Sequence, residues 1–238
     1  MFEFDEFISF IQQTTSREIA GAYVCAKWPR NIQMHKSIIA EIGMQTLDVK
    51  IERLQNEYYQ NKLFHLIRDW LERAKLHLRG ENEFRTTLND VANHIDAFHY
   101  VEGLTLDNLI QNDYDNNLLL EVWNWGSLIY NNGISEKLVG TTKLLHHIFP
   151  KIFVPVDRHY TGKFLNRCLQ FKVGRANNLQ YNNYMHFIES LKLFQSIKTS
   201  ANDKFGIRAT MRYADTSDTK AIDNWIIMFV DLELNNRQ

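Results

Sequence analysis

The chain has 238 residues, 45% of them hydrophobic and 23% charged, with a formal net charge of -1. That balance is ordinary for a globular protein that folds unaided, with room for one large core or two small lobes. Two widely spaced cysteines, Cys25 and Cys168, exclude a disulfide framework or a zinc ribbon. The segment MFEFDEFISF carries acids where a signal peptide needs bases, and no apolar run approaches the roughly 20 residues of a bilayer-spanning helix. A cytoplasmic protein with no membrane contact is expected.

Three prolines and ten glycines are few, and they fall between helical stripes rather than at strand turns. The predicted fold is therefore all-α. In chain order, helices are expected near 2–13, 16–27 and 33–58, then over 63–78, where Leu63, Leu66, Ile67, Trp70, Leu71, Ala74 and Leu78 recur every three or four residues. Phe84, Leu88, Val91, Ile95 and Phe98 repeat the pattern. Further helices are expected near 104–112, 116–131, 135–149, 158–171, 178–197 and 218–234. The stretch 199–218 lacks a helical stripe and reads as a loop or short hairpin.

Charge is distributed unevenly. Between Lys137 and Arg175 eight basic residues face one acid, Asp157, a local charge of +7. A lone carboxylate among cations suits an enzyme acting on a polyanion, the cations holding phosphates and the acid facing the reacting atom. The competing reading is a basic surface helix for which Asp157 is only a cap. Within 133–165, Ser135 reads as a helix cap, Gly140 as the turn that ends that short helix, and Thr141 or Thr142 as the cap of the next. Pro150 and Pro155 bracket an extended connection that leaves Asp157 at the mouth of a helix carrying Arg158, His159 and Lys163.

Leu138-Val139-Gly140 followed by Val156-Asp157-Arg158-His159, with Phe164 and Leu165 behind, resembles the core of the helix-hairpin-helix (HhH-GPD) DNA glycosylases. The resemblance implies a single bilobal helical domain over 1–238, with a helix-hairpin-helix and catalytic core at 116–172. It departs from the family in having one hairpin glycine, with Leu138 where the first would be, and a connection to the aspartate shorter by roughly four residues, one helical turn. It implies removal of a damaged or modified base from DNA, in repair or in defence against phage. Asp157 would stabilise the oxocarbenium-like charge on the sugar and orient the attacking water. Strand-cutting members carry a nucleophilic lysine on the hairpin helix; Thr142 in that register points to base removal alone, and a one-residue shift would bring in Lys143. Gly140 and the amides of Thr141, Thr142 and Lys143 would bind a phosphate, with Arg158, His159 and Lys163 as further DNA contacts. Trp123, Trp125 and Tyr130 are candidates to grip a flipped base, although residues two apart cannot share a helix face, so one tryptophan of the pair is expected in the core. No metal or other cofactor is called for, and a monomer is expected.

A metal-dependent His-Asp phosphohydrolase is unsupported, because no His-Asp dipeptide occurs. Arg73 and His77 are too close for a helical RNase pair. The alternative of another class is a non-catalytic helical module that binds DNA or a protein partner on the same scaffold.

Overall fold

The structure is a computed structural model, and it describes residues 2–14, 16–71, 78–108, 116–129, 137–157, 159–169, 184–205 and 215–234. Among these residues the fold is all-α, with no strand. The helices are α1 (Phe2–Thr14), α2 (Arg17–Lys27), α3 (Pro29–Ile38), α4 (Leu47–Gln55), α5 (Glu57–Trp70), α6 (Glu81–Asn93), α7 (Ile95–Glu102), α8 (Asn116–Ser127), α9 (Lys137–Ile148), α10 (Thr161–Leu169), α11 (Tyr184–Ser200), α12 (Asn202–Phe205) and α13 (Asp218–Phe229). Wider π-helical turns prolong α3 over Ile39–Gly43 and α13 over Val230–Leu234. No described helix is long and apolar enough to cross a membrane.

Local chemistry sets several starts. Ser16, Asn56 and Ser217 accept hydrogen bonds from the amides of Ile19, Tyr58 and Lys220, each taking up one of the free N–H groups at a helix N-terminus. Tertiary contact sets the breaks that periodicity missed. The expected 33–58 helix is interrupted after Gly43, where any Cβ would meet the His147 carbonyl at 2.9 Å and Pro150 at 3.0 Å, so the backbone lies directly on the end of α9. The 63–78 helix stops at Trp70, the 84–98 stripe is divided between α6 and α7 at His94, and residues 104–108 form turns. In those turns the Asn108 side chain accepts the Thr105 amide at 2.6 Å.

Helices from the two ends of the chain pack together, α13 on α2 and both α10 and α13 on α1. Phe7, Phe164 and Phe229 join those last three, with ring centroids 4.7 to 6.4 Å apart. The buried Arg17 guanidinium fastens the same ends, donating to Asp215 at 2.5 Å and to Asp218 at 2.6 Å. Helices α4 to α9 form a second set, and α3 touches both α2 and α5. One continuous apolar core runs through the two sets.

The centre of that core is α9, buried from Leu138 to Ile148 with no exposed face. It runs unbroken through Gly140, so the turn expected at 138–140 is not there. A mid-helix glycine costs only about 1 kcal/mol relative to alanine, which burial of a whole helix outweighs. The α8–α9 connection, residues 130–136 with Tyr130 and Ser135, lies outside the described residues, as does Arg158.

Candidate active site

After α9 the chain turns at 150–152 and then crosses the interior as an extended strap, residues 153–157; Ile152 to Val156 are all buried. Buried extended backbone needs partners for its polar groups, and α9 supplies them from one face. Thr142 Oγ1 accepts the Val156 amide at 3.0 Å, and His146 Nδ1–H donates to the Phe153 carbonyl at 2.7 Å. Phe149 packs on Phe98 at 5.0 Å and Phe153 on Phe187 at 5.7 Å. The strap delivers Asp157, half-buried, to the start of α10.

Both Asp157 oxygens are engaged there. Oδ1 accepts the amides of His159 and Tyr160, each at 2.7 Å; Oδ2 faces the Thr161 amide at 3.2 Å and the Thr161 hydroxyl at 3.0 Å. Those four contacts fill the acceptor sites of a carboxylate. They set its orientation firmly at a helix N-terminus, where negative charge is favoured. Thr161 Oγ1 also lies 2.9 Å from Oδ1 of Asp223, a buried residue of α13 whose Oδ2 pairs with the Lys220 ammonium. Burial pushes the Asp223 carboxyl above the ordinary aspartate range; Lys220 opposes the rise and Asp157 adds to it.

Beside the cap, Tyr160 meets Trp28 edge to face at 5.6 Å, and the exposed Lys27 ammonium lies 5.0 Å from the Tyr160 ring and 5.3 Å from Trp28. Asp231 pairs with Lys27 and accepts the Tyr23 hydroxyl. Burial and that hydrogen bond push the Tyr23 phenol up to about 12. Burial works against the Lys27 charge, yet hydrogen bonds to Asp231 and Tyr160 hold its pKa above the usual value.

Behind the strap, hydrogen-bond direction follows by elimination. The Lys143 carbonyl only accepts, so His147 donates to it from Nδ1 at 2.6 Å. Neutral His147 then accepts at Nε2 from His35 Nδ1–H at 3.0 Å, and His35 Nε2 accepts the Thr216 hydroxyl at 2.9 Å. All three imidazoles are neutral at pH 7. Burial lowers the pKa of His35 and His146 well below 6.5, and that of His147 to about 3, with Lys220 adding to each. Among the described residues no group of three or more His, Cys, Asp or Glu is arranged to hold a metal ion.

Several expected roles change on this geometry. Lys143 is buried, and its ammonium donates to the Trp70 carbonyl at 2.5 Å, capping the C-terminus of α5 rather than waiting as a nucleophile. Gly140, Thr141 and Thr142 sit inside α9, beyond the three residues whose amides a helix start leaves free, so they present no phosphate cradle. Trp123 and Trp125 are both buried core residues: one packs on Phe187 of α11, the other on Phe98 of α7. His159 is exposed and Lys163 half-buried beside Asp157, where a polyanion can reach them. The residues that sequence reasoning missed are Thr161, Asp223, Lys220, Tyr160, Trp28 and Lys27. Of these only Thr161, four after Asp157, left a local trace.

Compared with known proteins, the chain matches no family model, no curated protein and no solved structure.

Proposed function

We propose that this protein is a DNA glycosylase of the helix-hairpin-helix type that hydrolyses the N-glycosidic bond of a damaged or modified base, with Asp157 facing the cationic sugar. The observation that carries the reading is the placement of Asp157. A buried strap, bonded to one face of a buried helix, presents a carboxylate at a helix mouth inside the most basic part of the chain. A site that must oppose transient positive charge needs a fixed anion more than a reactive one. With its acceptor sites filled, Asp157 acts through its field; the departing base leaves with the electron pair of the broken bond, water attacks the sugar carbon, and the proton that water loses goes to the departed base. Trp28 and Tyr160 replace Trp123 and Trp125 as the aromatic surface offered to a base, with Lys163 a cation and His159 a hydrogen-bonding group for the backbone. Lys143, the lysine nearest the strand-cutting register, is buried and held by the Trp70 carbonyl, so base removal without strand cutting is the form of the reaction that fits.

One observation favours a second reading, a non-catalytic helical module that binds DNA. The four hydrogen bonds that fix Asp157 are also those of a strong N-cap, and a cap needs no reaction.

The two readings separate in a base-release assay. DNAs containing damaged and phage-type modified bases are incubated with the native chain and with Asp157→Asn, and free bases are identified by mass spectrometry. Asparagine caps helices as well as aspartate does, so the variant keeps its fold by circular dichroism. Release by the native chain, reduced at least ~100-fold in the variant, supports the glycosylase; no release from any DNA, with both proteins binding DNA equally, overturns it in favour of the binding module.

A further inference from the structure

The Thr161 hydroxyl stands between two carboxylates, 3.0 Å from Oδ2 of Asp157 and 2.9 Å from Oδ1 of Asp223. A hydroxyl carries one hydrogen and can donate to only one of them. With both aspartates ionised, the other contact would set a carboxylate oxygen against the hydroxyl oxygen with no proton between, beside a second negative charge in a buried site. One additional proton on that line removes the conflict.

We propose that Asp157 and Asp223 share a single proton through Thr161, that it rests on Oδ1 of Asp223, and that Asp223 thereby acts as a positioning residue which keeps Asp157 the anionic member of the pair.

The direction of the line follows from burial. Asp223 is 3% exposed and enclosed by α13 and its neighbours, whereas Asp157 is half-buried with three backbone amides on its carboxylate. The amides favour the charged form at Asp157; the apolar surroundings disfavour it at Asp223. The protonated Asp223 donates to Thr161 Oγ1, Thr161 donates to Asp157 Oδ2, and Asp223 Oδ2 still accepts from Lys220. Every polar atom on the line is satisfied, with one donor for each acceptor. Among the described residues, the titratable groups facing this assembly are Lys220 on α13 itself and, around that ammonium, Cys25 of α2, His35 of α3, and His146 and His147 of α9. The histidines are neutral, so Lys220 is the cation that tempers the pair. Two carboxylates with one proton titrate as a unit, in two separated steps.

The use of this pair rests on the glycosylase reading, but the protonation itself does not. Carboxyl-carbon NMR titration of the native chain, with assigned aspartates, reads it directly. The expected result is an Asp223 carboxyl still protonated at neutral pH, which ionises at lower pH in Asp157→Asn, where the like charge is gone. An Asp223 already ionised at neutral pH, or a titration that Asp157→Asn leaves in place, overturns the proposal. Asp223→Asn gives an independent arm. Its amide donates to Thr161 and its carbonyl accepts from Lys220, so the protonated native state predicts a melting temperature within a few degrees of wild type. A loss of roughly 6 °C or more, or failure to fold, would mean that an ionised Asp223 had been balancing a buried ammonium, and would also overturn the proposal. Absence of base release with a raised Asp223 titration would fault the proposed function alone; base release with an ordinary titration would fault only the shared proton.

Discussion

Thr142 Oγ1 accepts the amide of Val156 at 3.0 Å while its own hydrogen goes to the Leu138 carbonyl at 2.8 Å, so one buried hydroxyl joins helix α9 to the strap that ends in Asp157. Replacing it by an isosteric apolar side chain leaves the Val156 amide buried without an acceptor. Thr142→Val should lower unfolding free energy by about 1–3 kcal/mol, measured by urea denaturation, and Thr142→Ser should recover most of the loss. If Thr142→Val were as stable as wild type, the strap would not depend on this bond.

The crossing of α8 and α9 has no room to spare. A Cβ at Gly126 would stand 2.4 Å from Thr141 Cγ2 and 3.1 Å from the Thr141 Cα. Gly126→Ala is therefore expected to cost about 1–3 kcal/mol by forcing the helices apart. Thr141→Ala in the same chain should return part of that, since the nearest atom goes and the backbone contact stays. A double-mutant cycle on thermal melts would show the coupling, and strict additivity would place the strain elsewhere.

Acid should weaken the fold earlier than carboxylate titration alone would. His35, His146 and His147 are fully buried with pKa values below 6.5, about 3 for His147. The unfolded chain binds protons at these groups below pH ~6.5 and the folded chain does not until lower pH, so stability falls as pH drops through that window. At pH 5 His147 contributes a loss of about 2 kcal/mol relative to pH 7, and His35 and His146 act in the same direction. Urea midpoints taken from pH 7.5 to 5 should fall steeply, and His146→Met should reduce the slope by about one proton. An unchanged slope would mean that the imidazole is already protonated in the fold.

Lys143 is committed to the Trp70 carbonyl and to packing near the Trp70 ring. Borohydride should therefore trap no covalent complex between the native chain and DNA bearing an abasic site. Lys143→Met is expected to lower stability by roughly 1–3 kcal/mol through the unsatisfied carbonyl, with base release unaffected. A trapped adduct that disappears in Lys143→Met would restore this lysine as a nucleophile.

How much of this was legible in the sequence depends on the range of the interaction. Leu63, Leu66 and Ile67 announced α5 because a helix repeats its buried face every three to four residues, and all three are buried. Pro155-Val156-Asp157 announced an extended arrival and a capped departure, both local properties. Gly140 misled because glycine marks a turn only where solvent or a positive φ needs it, and here a whole helix is enclosed. Trp123 and Trp125 do lie on different faces of α8, as their spacing requires; both are nonetheless buried, because α7 covers one side and α11 the other. Asp223 carried no local signal at all, being 62 residues from the hydroxyl it meets.

The pairing of the chain's two ends also orders events in time. Arg17 meets Asp215 across 198 positions, and Asp157 meets its partner carboxylate only once α13 has docked. Contacts between such distant segments form late, since the closure entropy of the intervening chain must be met first. During synthesis, a ribosome that has released Asp157 has yet to deliver the helix that completes its surroundings. A translation product halted short of residue 215 would carry the aspartate with neither Asp223 nor Lys220 beside it, so the finished site is itself a mark that α13 has been made.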